Sequence, residues 1–491
     1  MKLLSKNIVL PAVLVSAILI FASYLLKRPS PASTPTQEQA QAELQPEVRK
    51  LESALPTDAV DGALPVAQIT PLFVSGEAES PVWTRKTPAA HRSRIIHPDA
   101  GLLTAKPSLK KDDRLELALF DDILLSSKIS DVTEYPNGAV GMTARMDGAY
   151  KGTLYLSYSG GELRVHADVL GANDFYVRYE PELQSHVAIE VDRENSGYLE
   201  GCETCLEEKE KNLAEEVLGD EIASDEVEDE TGNPPVDLSD LPDTVVVDVM
   251  IVYTPAARIA EGGINGINNN ITLAMQKANA AHGNSNTKMT LNLVHSAETI
   301  YTESGSASTD LNALRGEDDG LMDEVHGLRN TNAADFVCLL EDEPGTGGIG
   351  GLMSDTDGEP HRAFCLARVQ QSDWTYTVVH EFGHNMGCHH SKTQTTQSGP
   401  GLYDYSAGWQ WADTESSSSI GYCSLMTYEN FDSTGGYEYD RVGYFSNPDI
   451  DYTGDSTNPT GDATNGDNAR SIRNIRHVAS EFRFPVEKGR L

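Results

Sequence analysis

A chain of 491 residues is long enough for two or three domains, each with its own core. Its 75 acidic residues against 37 basic ones give a net charge of −38, which argues against a nucleic-acid partner because like charges repel phosphates. The same carboxylate excess favours solubility and suits Ca2+ sites, but it selects no substrate.

Residues 1–28 open with the basic cap Met1 to Lys6, followed by an apolar run from Ile8 to Leu26 that ends at Lys27 and Arg28. This reads as an export signal, either a cleaved signal peptide or an N-terminal membrane anchor, since the run is close to the length of a bilayer span. In both cases the remainder is expected outside the cytoplasm, extracellular or facing the periplasm. Residues 29–80, rich in Pro, Ala, Gln and Glu without periodicity, read as a flexible tether. Over 81–200 the pattern becomes short alternating runs. Gly152 to Tyr158 and Glu162 to Ala167 flank Ser159-Gly160-Gly161, the signature of a β-hairpin in a β-rich domain. Residues 201–243 begin with Gly201-Cys202-Glu203-Thr204-Cys205 and then crowd carboxylates together, as in Asp225 to Glu230. Like charges at that density keep a segment solvated, so it reads as an acidic linker open to proteolysis.

Residues 244–491 mix helix and strand signals. Strands are expected at Val245 to Tyr253, Met289 to His295, Asp335 to Leu340 and Ala363 to Val369. Helices are expected at Ile264 to His282, Asp310 to Arg315, Leu321 to Arg329, Thr375 to Cys388 and Asn468 to Phe482. The last helix but one carries His380-Glu381-Phe382-Gly383-His384-Asn385-Met386-Gly387-Cys388-His389-His390. Residues four apart on a helix differ by roughly 40° in direction, so His380 and His384 present imidazoles on one face to one metal. Gly387, free to take φ > 0, ends the helix and lets His390 return as the third ligand. Three protein ligands leave a fourth tetrahedral position open, the layout of a catalytic Zn2+ site, with Glu381 placed to act on water. His389 points elsewhere and reads as a rim residue.

Downstream, Cys423-Ser424-Leu425-Met426-Thr427-Tyr428 has the form of the turn that underlies zinc in metzincins. With Asp248 to Pro255, Ala334 to Leu340, Tyr405 to Trp409 and Phe445 to Pro448, the stretch from near Thr244 to near Phe484 resembles a reprolysin-like (adamalysin-type) metzincin, especially the bacterial secreted ones. It departs from that pattern at Ser391, where reprolysins usually carry Asp. The resemblance implies an α+β chain: a mixed catalytic domain with a twisted sheet, zinc helix and Met-turn, preceded by a β-rich prodomain. It further implies a zinc endopeptidase acting on proteins or peptides and made as a zymogen, with Glu381 as general base and Met426 as an apolar floor under the metal. Tyr428 has either a catalytic or a packing role. The pocket for the residue after the scissile bond is expected within 429–446. A non-catalytic, zinc-stabilised surface or binding module on the same scaffold is the competing reading, and intact Glu381 argues against it.

Six cysteines in an exported chain favour disulfides. Cys388 ends the zinc helix and Cys423 precedes the Met-turn, so those two are expected to pair. Cys338 and Cys365 would then pair by elimination. For Cys202 and Cys205 two readings stand: a latency thiolate on the open metal position, or a local disulfide. Residues Asp449 to Asn468 are rich enough in Asp, Asn and Gly to suit Ca2+, though such runs also serve as solvated loops.

Overall fold

In a computed structural model of the chain, the described residues are 69–76, 90–99, 101, 109–170, 172–191, 243–412, 420–429, 438–452 and 458–483. The export segment, most of the tether, and the linker with Cys202 and Cys205 lie outside them.

The first sheet is ten-stranded, built from β1 (Ile69–Pro71), β2 (Phe73–Gly76), β3 (Ala90–Pro98), β4 (Arg114–Phe120), β5 (Ile123–Glu134), β6 (Val140–Met146), β7 (Gly152–Ser159), β8 (Glu162–Val169), β9 (Phe175–Glu180) and β10 (Ser185–Val191). Its order is β1-β4-β5-β6-β7-β8-β9-β10-β3-β2, with β4 to β10 forming a continuous meander. The expected hairpin is there: Ser159 pairs with Glu162 across Gly160 and Gly161, whose φ values of 57° and 93° suit a two-residue turn matched to strand twist. The sheet begins at Ile69, inside the stretch read as tether. Strands of three and four residues are too short for alternation to register.

In β5 burial alternates over Ile123 to Asp131, one face packing and the other wet, whereas β7 and β8 are buried on both faces. One face of that pair closes over Leu154, Leu156, Val165 and Ala167. The other lies against the catalytic half.

That half opens with β11 (Val245–Tyr253), α1 (Pro255–Ala260), α2 (Ile264–Asn284), β12 (Met289–Glu298), α3 (Ala307–Arg315), α4 (Asp323–Thr331), β13 (Phe336–Glu341), β14 (Gly348–Gly350) and β15 (Phe364–Arg368). The strands form a five-stranded sheet in the order β12-β11-β13-β15-β14, parallel except for β14 at the edge. The period of two in β11 sends Val247, Val249 and Ile251 to the core shared with α2, and Met250 and Val252 to the core under α3 and α4. After α5 (Thr377–Asn385), where few regular signals were expected, β16 (Gln410–Ala412), β17 (Ile420–Ser424) and β18 (Glu438–Val442) make a second small sheet, and α6 (Asn468–Ala479) follows.

Helix α2 shows why a helix can be buried nearly all round and still be rich in polar residues. Ile267, Ile271, Met275 and Ala278 face the catalytic core. Asn265, Asn268, Asn269 and Gln276 face the first sheet at helical spacing, where Asn269 accepts from the Ser157 hydroxyl at 2.7 Å and donates to Glu162 O at 3.1 Å. The Asn269 amide is thus bonded at both ends, whereas Gln276 bonds through Nε2 to the Thr143 hydroxyl and its Oε1 has no hydrogen-bond partner. Lys277, 1% exposed, donates to His166 Nδ1 at 2.9 Å, and the His166 Nε2–H lies 3.3 Å from Asp174. Arg164 bridges Asp373 at 2.7 Å and Glu261 at 2.6 Å, and Tyr176 donates to the same Asp373. The Tyr376 hydroxyl donates to Asp168 at 2.6 Å, so these contacts gather where the chain enters α5.

Candidate metal centre and active site

Helix α5 is short, and its end is defined by a cap. Gly387 has φ +71°, the Gly387 N–H donates to His384 O at 2.9 Å and the Cys388 N–H to Gly383 O at 3.0 Å. These two bonds make a Schellman motif, so the chain reverses at the glycine that the sequence singled out. His390 is carried back beneath the helix. A Cβ at Gly387 would stand 2.5 Å from Leu402 Cβ, so the turn is closed sterically as well.

The candidate ligand nitrogens of His380, His384 and His390 lie within 4.8 Å of one another. His380 Nε2 and His390 Nε2 are 3.1 Å apart. Tetrahedral zinc with bonds of about 2.0–2.1 Å needs nitrogens roughly 3.4 Å apart, so the spacing fits. Each ring is oriented by a backbone carbonyl: His380 Nδ1 donates to Leu425 O at 2.7 Å, His384 Nδ1 to Cys388 O at 2.9 Å and His390 Nδ1 to Gln397 O at 2.9 Å. With Nδ1 holding the proton, the Nε2 lone pairs point inward. His384 Nε2 is buried without a hydrogen-bond partner, the kind of orphaned acceptor a metal ion satisfies. Burial pushes His380 down to about 3 and holds His384 and His390 well below the usual imidazole range, so the triad stays neutral and able to ligate.

Glu381 is 1% exposed and lies against β14. A Cβ at Gly348 would fall 2.4 Å from Glu381 Oε1, and one at Gly350 would fall 3.2 Å from Oε2, so only glycines let this strand lie over the carboxylate. Neither glycine was singled out from the sequence; the signal was the run Gly347-Gly348-Ile349-Gly350-Gly351 ahead of a strand. Asn385, also missed, donates to Gly351 O at 2.9 Å and Phe364 O at 3.0 Å, tying the end of α5 to β14 and β15.

Met426 is fully buried under the helix, and Gly383 makes room for it: a Cβ there would meet Met426 Sδ at 2.6 Å. Tyr428 tilts over His390 with ring centroids 4.7 Å apart, and its hydroxyl donates to Gln397 Oε1 at 2.5 Å. His389 is not a rim residue. It is buried, its Nδ1 accepts from the His390 N–H at 2.7 Å, and burial lowers its pKa to about 4.

Neither expected disulfide of the catalytic half forms. Cys388 is a free thiol 3.7 Å from Asn468 O, toward α6, whereas Cys423 Sγ lies 3.8 Å from Thr427 O within the Met-turn. Cys338 and Cys365 are register partners on adjacent parallel strands, but Cys338 is a free thiol. Buried apolar cysteines serve here as small core residues.

A family model described as Metallo-peptidase family M12B Reprolysin-like matches residues 244–466. The chain is 33% identical over 235 residues to a protein of Stenotrophomonas maltophilia (strain K279a) named Peptidyl-Asp metalloendopeptidase, covering 48% of this chain and 52% of that relative. A protein of the same name from Xanthomonas campestris pv. campestris is 29% identical over 235 residues, covering 48% and 51%. The chain therefore spans about half the length of the curated relatives it matches. Among solved structures, metalloproteinase-II from Bacteroides fragilis aligns at 11% identity over 61% of this chain and 86% of that one, with a TM-score of 0.37, too distant to carry an argument. Among the described residues no helix is long and apolar enough to cross a membrane.

Proposed function

We propose, from the premise that residues 244–466 form a reprolysin-like metallopeptidase domain of family M12B, that the chain is an exported zinc endopeptidase with Glu381 as its general base. The observation that carries this reading is the pairing of three convergent, neutral imidazoles with a buried carboxylate on the same helical turn. His380, His384 and His390 would hold Zn2+, which supplies Lewis acidity toward a peptide carbonyl and lowers the pKa of water. Glu381 accepts the proton of the attacking water and returns it to the leaving amine, while β14 keeps its carboxylate fixed between the two transfers. Tyr428, anchored by Gln397, shapes the wall beside His390, a position suited to a group that orients the carbonyl oxygen.

The name of the relatives suggests aspartyl peptide bonds as substrates. Maturation belongs in the acidic linker, where Cys202 and Cys205 also lie, and the first sheet is the part a zymogen would carry. Cleavage of casein or fluorogenic peptides by the purified ectodomain, wild type against Glu381→Ala, with metal analysis and N-terminal sequencing, tests the reading. Chelator-sensitive turnover lost in the variant at equal zinc content is the expected result. Turnover retained in Glu381→Ala would refute the assignment.

A further inference from the structure

The residues that lead into α5 are held from the first sheet. Asp373 accepts from Arg164 of β8 at 2.7 Å and from the Tyr176 hydroxyl of β9. Trp374 packs on Tyr176 of β9 and on Val187 and Ile189 of β10. Tyr376 donates its hydroxyl to Asp168 of β8 at 2.6 Å. Beyond this entry the helix is held by its own half, with Val378, Val379 and Phe382 in the catalytic core.

Tyr376 brings these contacts to the metal centre. It is the N-cap of α5, and its carbonyl accepts the His380 N–H at 2.9 Å, the bond that opens the helix and seats the first metal-ligating histidine. Its side chain does not cap the helix but reaches to the first sheet. A Cβ at Gly443 would fall 2.5 Å from the Tyr376 hydroxyl oxygen, so the chain leaving β18 packs directly on that oxygen. From α2 the Lys277 ammonium lies 4.2 Å from the ring centroid. A helix of nine residues is too short to set its own start in water, so tertiary contacts decide where its first turn lies. Zinc coordination is intolerant of such shifts, since ligand distances hold to within about 0.2 Å. A contact fixed at the N-cap is therefore felt one turn later, at His380.

We propose that Asp168 is a positioning residue for the metal centre. Through Tyr376 it fixes the first turn of α5 and with it His380, so the first sheet supports the site rather than merely covering it. The proposal rests on the zinc endopeptidase reading and adds to it a part for the first sheet in holding the metal.

The test uses the full ectodomain as wild type, Asp168→Ala, Tyr376→Phe and their double variant, with Asp168→Asn as the conservative control. Zinc affinity is read by chelator competition, and kcat and KM by fluorogenic-peptide cleavage at saturating zinc, all well below the melting temperature. Asp168→Ala and Tyr376→Phe should each weaken zinc binding by about tenfold, the lower end of what loss of an outer-shell contact costs. Their kcat should fall with KM held within about twofold, the pattern of displaced catalytic groups rather than lost substrate binding. The double variant should be no worse than the worse single one, because both changes remove the same bond. Asp168→Asn keeps an oxygen that can accept from the hydroxyl and should hold zinc to within about threefold of wild type. Unchanged zinc affinity in the folded single variants overturns the proposal, because a contact that served stability alone would lower the melting temperature and leave the metal as tightly held. Additive losses in the double variant overturn it too. So does a rise in turnover in either single variant, for then the sheet obstructs the site. If Asp168→Ala fails to fold, Tyr376→Phe, which loses one hydroxyl, carries the same prediction. Zinc affinity that falls as expected in a protein that cuts no peptide supports the proposal and sinks the endopeptidase reading. Zinc-dependent turnover with unchanged affinity in the variants does the reverse.

Discussion

The chemistry of the site depends on side chains that are absent as much as on those present. Gly348 lies where a methyl group would displace Glu381 Oε1, because its Cβ would stand 2.4 Å from that oxygen. Gly348→Ala should therefore leave the triad and its metal intact and lower kcat/KM by at least about a hundredfold, the cost of moving a catalytic group by an ångström. Metal content by mass spectrometry beside peptide kinetics checks it, and loss of metal would contradict the argument. Away from the site, His282 is buried, its Nδ1 is paired with the Thr287 hydroxyl at 2.9 Å and its Nε2 has no hydrogen-bond partner. Burial lowers its pKa from 6.5 to about 3. Above pH 6.5 both states hold it neutral and it costs nothing. As pH falls from 6.5 toward 3 the unfolded chain takes up a proton that the folded chain refuses, so stability drops over that window. His282→Gln should remove about 2–3 kcal/mol of the difference in unfolding free energy between pH 7 and pH 4.5, measured by urea titration.

At the scale of elements, the end of α5 is the most exacting joint. Gly387→Ala would force an L side chain to φ +71°, costing about 1–2 kcal/mol, and would also press on Leu402. The variant should melt lower and bind zinc more weakly, because His390 enters the site through this reversal; a chelator competition titration reads the second effect. This joint was legible in the sequence because a His pair four apart, a glycine and a third His each have a local physical meaning. Strand β11 and helix α2 were equally legible, their runs being long and periodic. The Thr254 cap of α1 was present as Thr254-Pro255, a cap followed by proline at the first helical position, but six residues are too few for a periodic signal. Strand β14 went unread because glycine marks a strand only when something packs against it, and Glu381 comes from a different part of the chain. The cysteine pairings failed for a related reason. The direction of Cys388 toward α6 depends on tertiary packing.

For the whole molecule, the joint between the first sheet and the catalytic half combines a buried charged trio with the amide contacts of α2 and an apolar patch of Trp374 against Tyr176, Val187 and Ile189. Arg164 has 3% of its side chain exposed and meets Asp373 and Glu261, which are equally buried. Burial raises the pKa of Glu261 against the pull of Arg164, so desolvation offsets much of the attraction and the trio adds little net stability. Removing one member is another matter. Arg164→Ala would leave two carboxylates facing each other without a cation, a change that costs about 3–5 kcal/mol for a buried pair. Lys277 with His166, Asn269 with Ser157 and Tyr376 with Asp168 hold the same joint independently. A cut in the acidic linker removes the covalent tie but none of these contacts, so the nicked protein should still elute from a sizing column as one particle. The Arg164→Ala protein, nicked in the same way, should separate into two. The face exposed on the catalytic half would then carry Trp374 beside Lys277, Asp373 and Glu261. Co-elution of the nicked Arg164→Ala protein would show that the amide and tyrosine contacts suffice even with the carboxylates left unpaired, and dissociation of nicked wild type would show that these contacts together do not hold the joint without the covalent tie.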